Sequence, residues 1–227
     1  DQQTRNQDLW ILDLARRTES RFTFSTATDD DPVWSPDGTR IAFDSNPDGP
    51  PNPYVKVASG AGSEQLLLKT SVLTLPLDWS SDGKYLLIHM EEAKTKSDIW
   101  ALPLVGEKKP FPVVQTEATE DVGCFSPDGR WIAYQSDESG KLEVYVQAFP
   151  VSQGKWQVSV KGGGAPLWSK DGKELFYHSP ERKLMAVEVH TTGSSFEPGV
   201  PKALFATTVD NYNAPNRYAV TRDGKRF

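Results

Sequence analysis

The chain has 227 residues, a net charge of −6, 37% hydrophobic and 25% charged residues, enough apolar material for a packed core and therefore against disorder. The acidic balance disfavours duplex DNA or RNA as the main partner, because neutralising phosphates takes a basic surface. A single cysteine, Cys124, excludes an internal disulfide and a cysteine-based zinc or iron–sulfur site, and no apolar run reaches the roughly 18 residues of a membrane span.

In chain order, polar residues Asp1 to Asp8 show no signal-peptide pattern, Asp8–Leu14 reads as a strand, and Arg21–Ser25 reads as its neighbour. Trp34-Ser35-Pro36-Asp37-Gly38 then reads as a tight turn: Pro pre-sets φ, Asp suits the next position, and Gly accepts a left-handed backbone. Strands are expected at Arg40–Phe43, Val55–Val57 and Glu64–Leu68. The unit recurs at Trp79-Ser80-Ser81-Asp82-Gly83, with strands at Tyr85–Ile88, Ile99–Leu102 and Pro112–Gln115. It recurs at Phe125-Ser126-Pro127-Asp128-Gly129, with strands at Trp131–Tyr134, Val144–Gln147 and Trp156–Val160. A fourth copy is Trp168-Ser169-Lys170-Asp171-Gly172, with Glu174–Tyr177, Leu184–Val187 and Ala203–Ala206. A weaker fifth is Val220-Thr221-Arg222-Asp223-Gly224, after a strand at Tyr218–Val220.

The Asp-Gly pairs lie 45, 46, 43 and 52 residues apart, a period that means propeller blades when the content is strands. No segment shows a capped helical period. The expected fold is all-β: a β-propeller of four-stranded antiparallel blades with five repeats. One domain, 1–227, is expected, with blades at about 29–70, 71–116, 117–161, 162–207, and 208–227 completed by 1–28. Pairing the terminal strands would close the ring and remove exposed edges, the alternative being a larger ring.

The chemistry-bearing residues are few. His89, His178 and His190 lack metal-ligand spacing, so no metal and no cofactor is expected; His89 and His178 fall at similar points after a second strand and read as polar residues at a blade rim. No G-x-S-x-G elbow supplies a hydrolase nucleophile, and no catalytic residue is assigned. The turn residues Asp37, Gly38, Asp82, Gly83, Asp128, Gly129, Asp171, Gly172, Asp223 and Gly224 recur in every copy, which fits structure rather than catalysis, as do their serines. Gly162-Gly163-Gly164 precedes a strand, not a helix, and reads as a connection rather than a phosphate loop. Carboxylates cluster at Asp29–Asp31, Glu91–Glu92 and Glu117–Asp121, read as a solvated acidic rim. Asp31, Asp78, Asp121 and Arg217 precede or begin first strands and form the candidate binding set at a channel mouth. Trp34, Trp79 and Trp168, with Phe125, are expected in the core between blades, as are Trp10 and Trp100; Trp131 and Trp156 read as core, with a surface anchor as the alternative.

Asp31-Pro32-Val33-Trp34-Ser35-Pro36-Asp37-Gly38 followed by Ile41–Ser45, with Asp8-Leu9-Trp10 and Asp98-Ile99-Trp100, resembles the WD-like repeat of TolB-type β-propellers. Asn52-Pro53-Tyr54 departs from that pattern in lacking the acidic residue. Lys183–Val187, Phe196–Pro201 and Leu204-Phe205 resemble the C-terminal propeller region of bacterial receptor-like serine/threonine protein kinases. The resemblance implies a non-catalytic sensor or interaction module of an envelope signalling protein. A protein or peptide partner is expected, with a small ligand in the central channel as an alternative, no nucleic acid and no membrane span. The location it implies is the periplasm or extracytoplasmic side, otherwise the cytoplasm. Two alternatives stay open: the gating propeller of a prolyl-oligopeptidase-type peptidase or a metal-dependent lactonase-like propeller, and a trimmed or engineered propeller with no function of its own.

Overall fold

The computed structural model describes residues 7–150, 154–208 and 218–221. Contacts divide the chain into two compact units, Asp1–Pro76 and Leu77–Phe227. No helix occurs among the described residues. In the first unit, β1 (Trp10–Asp13) and β2 (Thr18–Arg21) form a two-stranded ribbon, and β3 (Asp29–Trp34), β4 (Arg40–Ser45), β5 (Asn52–Val57) and β6 (Gln65–Leu66) form an antiparallel sheet in sequential order. Three more sheets follow: β7 (Thr74–Trp79), β8 (Tyr85–Glu92), β9 (Lys96–Pro103) and β10 (Phe111–Val114); then β11 (Glu120–Phe125), β12 (Trp131–Ser136), β13 (Glu143–Ala148) and β14 (Lys155–Gln157). The last comprises β15 (Gly164–Trp168), β16 (Glu174–His178), β17 (Lys183–Thr192), β18 (Ser195–Pro198) and β19 (Lys202–Ala206). These are broadly the strands that the repeat spacing predicts, but the bounds shift in places, as at β14, expected over Trp156–Val160. The strand expected at Arg21–Ser25 runs from Thr18 to Arg21, and β17 is long enough to pair twice, with β19 near its start and with β18 at its end. Tyr218–Val220 joins no ladder among the described residues; Asp223 and Gly224 lie outside them.

The serine and aspartate of each turn make one device. Ser126 Oγ donates to Asp128 Oδ1 at 2.6 Å and accepts the Trp131 N–H at 3.0 Å, so it closes the hairpin from inside. Ser35, Ser80 and Ser169 do the same with Asp37, Asp82 and Asp171, at 2.6, 2.7 and 2.8 Å. The hydroxyl of Ser35, then the N–H and hydroxyl of Thr39, hold the Asp37 carboxyl down to about 2. For Asp128, burial opposes ionisation but is outweighed by Ser126 and Arg130, and the carboxyl is lowered. In the four described turns the glycine after the Asp has φ between 69 and 74°, where a side chain is strained. Ser126→Ala is therefore expected to lower unfolding stability by about 1–3 kcal/mol, because it strands a buried N–H and a carboxylate, measured by urea denaturation.

Aromatic packing decides which turn residues are buried. Trp79, Phe125 and Trp168 are core residues, but Trp34 is 51% exposed and Trp10 59%, against the expectation for both. The cause at Trp34 is a small residue opposite. Phe149, whose N–H donates to Arg130 O, covers Phe125 at 5.1 Å between ring centroids. Ala58 makes the same hydrogen bond, to Thr39 O, and offers only a methyl group. Trp131 is buried and packs with Trp156 and Phe196 at 5.5 and 5.4 Å, so neither tryptophan is a surface anchor. Trp100 is half-buried. Trp79→Ala should cost about 3–5 kcal/mol, in the range of buried aromatic truncations, and Trp34→Ala about 1 kcal/mol or less; thermal melts of the two variants check the difference.

Candidate functional site

The first strands of three sheets share an irregularity that the amino-acid types do not announce. Ladder register shifts between Asp30 and Val33, between Asp121 and Cys124, and between Gly164 and Leu167. At the same repeat position in each, three residues before the turn aromatic, Asp31, Val122 and Ala165 have φ of 46, 50 and 51°. None is glycine, and for β-branched Val122 this backbone is strained. A bulge residue loses its ladder partner, so its N–H needs another acceptor. Asp30 Oδ1 accepts the Asp31 N–H at 2.9 Å, and Asp121 Oδ1 accepts the Val122 N–H at 2.7 Å. Before Ala165 stands Gly164, with no side chain, and Gln135 Oε1 accepts the Ala165 N–H at 2.9 Å instead. The matching residue in β7 is Pro76, which has no N–H to satisfy.

Gln135 belongs to a second set. Seven residues after the turn aspartate, each second strand carries a buried polar side chain: Asp44, His89, Gln135 and His178. His89 and His178, expected as polar residues at a blade rim, are 6% and 2% exposed. His89 Nδ1 lies 3.1 Å from Asp121 Oδ1, so the imidazole steadies the carboxylate that caps Val122. The Tyr218 and His178 rings pack perpendicular to one another with centroids 4.7 Å apart, and Tyr218 Oη donates to Ala165 O at 3.0 Å. Neither ring nitrogen of His178 has a hydrogen-bond partner among the described residues, and burial holds its pKa below the ordinary value, which favours the neutral ring.

The four candidate residues fall at different places. Asp31 is itself a bulge residue, Asp121 caps one, and Asp78 occupies a third position of the first strand. Asp78 Oδ2 accepts the Phe125 N–H at 2.7 Å and joins β7 to β11. Burial pushes its carboxyl up to about 6, while the Phe125 and Trp79 N–H groups pull down. Arg217 lies outside the described residues. Cys124 is no nucleophile: burial and then the Asp78 carboxylate push its thiol well above the ordinary value, and Sγ donates to Pro166 O at 3.3 Å. Among the described residues, no three His, Cys, Asp or Glu side chains are arranged to hold a metal ion.

The acidic clusters are not simply a solvated rim. Glu120 is fully buried, accepting from Thr116 and Ser136, and Asp29 is 1% exposed. The residues at or near the start of third strands are acceptors for groups at or just beyond the end of the fourth. Arg21 donates to Asp8 at 2.7 Å, Gln115 to Asp98 at 3.2 Å, and Gly162 to Glu143 at 3.0 Å. Asn52, the residue that departs from the acidic pattern, accepts the Thr70 N–H at 2.6 Å; an acceptor oxygen is what the position requires, not a charge.

Asp44 stands apart. It is 4% exposed, and burial, then the carboxylates of Asp31, Asp30 and Asp29, push its carboxyl up to about 7. An unfolded Asp titrates near about 3.9, so between that pH and about 7 the folded chain holds the extra proton. This stability is complete below about pH 4 and lost as pH rises through 7. Asp44→Asn should flatten that part of the stability–pH curve and raise the melting temperature above pH 7, as read by thermal melts from pH 4 to 8.

No protein-family model matches the chain. It is 26% identical over 222 residues to the Tricorn protease homolog 1 of Streptomyces coelicolor, covering 84% of this chain and 21% of that protein. Among solved structures, TolB from Acinetobacter baumannii aligns with a TM-score of 0.69 at 18% identity, over 89% of this chain and 50% of that one. A putative TolB from Agrobacterium tumefaciens aligns at 0.66 and 19%, over 82% and 70%. A structure of prolyl endopeptidases, described for the role of inter-domain dynamics in catalysis and specificity, aligns at 0.56 and 15%, over 90% and 34%. The fold is thus that of TolB-type β-propellers, and the chain spans about a fifth of the curated relative and half of the A. baumannii TolB.

Proposed function

We propose that the chain is a non-catalytic module that binds a protein or peptide, the propeller part of an extracytoplasmic signalling protein of the receptor-like serine/threonine kinase type. One observation carries the non-catalytic part. The recurrent serines and aspartates are held in turn and bulge hydrogen bonds, and the half-buried Cys124 thiol is held well above its ordinary pKa. The TolB-type fold supports a binding role, and the kinase context rests on the resemblance at Lys183–Val187, Phe196–Pro201 and Leu204-Phe205. A second reading, a propeller that gates a peptidase, is favoured by the likeness to a tricorn protease homolog and to prolyl endopeptidases. In both, Asp31, Asp78 and Asp121 are the candidate contacts, each on the first strand of its own sheet.

The test uses the tagged chain as bait in a bacterial envelope extract, with mass spectrometry as readout. A saturable, salt-tolerant partner is expected, weakened by about tenfold in Asp121→Asn. Turnover of peptide, ester or lactone substrates by the isolated chain would overturn the non-catalytic reading. Capture of a peptidase domain would favour the gating one.

A further inference from the structure

The triplet Asp29-Asp30-Asp31 on β3 and Asp44 on β4 form an acidic corner within the first unit. Asp30 and Asp44 face each other in the ladder, Asp30 exposed and Asp44 buried, so the corner runs from the surface inward. At its base Asp44 Oδ1 is buried and has no hydrogen-bond partner among the described residues; Asp29 Oδ1, on the opposite face of the strand, is likewise buried and unpartnered. The other oxygen of Asp29 receives the Ser25 hydroxyl at 3.3 Å. The counterparts of Asp44 in the other sheets are His89, Gln135 and His178, none of them a carboxylate. Gln135 accepts a bulge N–H from the next first strand, but the residue following Asp44 in that role is Pro76, which has none. Asp44 Oδ1 is therefore an acceptor to which the next first strand brings no donor at that position.

Buried anionic oxygens without donors are costly unless a cation or a proton meets them. No three carboxylates here converge as a metal-ligand set. A long arginine or lysine side chain meets the need otherwise, carrying its charge inward on an apolar stem. We propose that this acidic corner receives one cationic side chain, arginine or lysine, of a protein partner. The inference rests on the binding-module reading and names the chemistry of the partner.

The experiment titrates the full chain with a capped Gly-Arg-Gly peptide, with its citrulline analogue, and with calcium chloride alone, followed by amide chemical shifts. The arginine peptide should saturate with shifts centred on β3 and β4, and the citrulline peptide should not. Asp30→Asn and Asp44→Asn should each weaken it by about tenfold, without loss of melting temperature. Equal binding of the citrulline peptide, unchanged affinity in both variants, or saturation of the same shifts by calcium in place of the peptide would overturn the proposal. If the envelope partner is captured equally by wild type and both variants, the corner is not its contact while the binding module stands. If arginine binding depends on Asp44 but no envelope partner is captured, the acceptor site stands and the module reading fails.

Discussion

A strand that bulges leaves one amide without a ladder partner, and the interior arrangement of this protein answers that constraint. Asp30 and Asp121 cap the bulge from the preceding residue, Gln135 reaches the Ala165 N–H where glycine removes that option, and proline removes the N–H altogether in β7. A single requirement thus explains residues as different as aspartate, glutamine and proline at corresponding places. His89 then follows from Asp121, since its ring steadies the capping carboxylate.

A second layer is the hairpin clasp. A serine hydroxyl that both donates to aspartate and accepts an amide fixes the turn, while the partner aspartate stays ionised because its acceptor capacity is filled by donors. Asp44 and Asp78 are the reverse case. Their burial outweighs the donors they receive, and the two carboxyls rise toward neutrality. The protein therefore carries acidic groups of opposite behaviour: surface clasps that stabilise it down to low pH, and interior carboxyls that destabilise it as pH rises through 6 to 7. The difference lies in donors near each oxygen, not in residue type.

Packing adds a third constraint. Phe196 on the unanticipated β18 is 1% exposed and sits among Trp131, Trp156 and Trp168, while Arg130 reaches back to Gly193 O and Thr191 Oγ1 at the hairpin tip. The longer spacing between the fourth and fifth turn motifs, 52 residues against 43 to 46, was the available signal for this extra hairpin. Trp34 shows the converse. Its motif is intact, yet it is half exposed because position 58 is alanine where the third sheet has Phe149.

The amino-acid sequence by itself determined the all-β class, the four-stranded unit and the placing of the Ser and Asp of the described motifs in turns, because turn chemistry and strand alternation are local and recur. It also pointed to Asp31, Asp78 and Asp121 as noteworthy carboxylates. Only the tertiary structure decided that these occupy three different positions, that His89 and His178 are buried, and that Asp44 belongs with them. Bulges are invisible in sequence when the left-handed residue is aspartate, valine or alanine, since nothing in those side chains asks for a positive φ. Burial and charge are set by what arrives from the next strand, such as a donor for Gln135 and none for Asp44, and that is a property of three-dimensional neighbours.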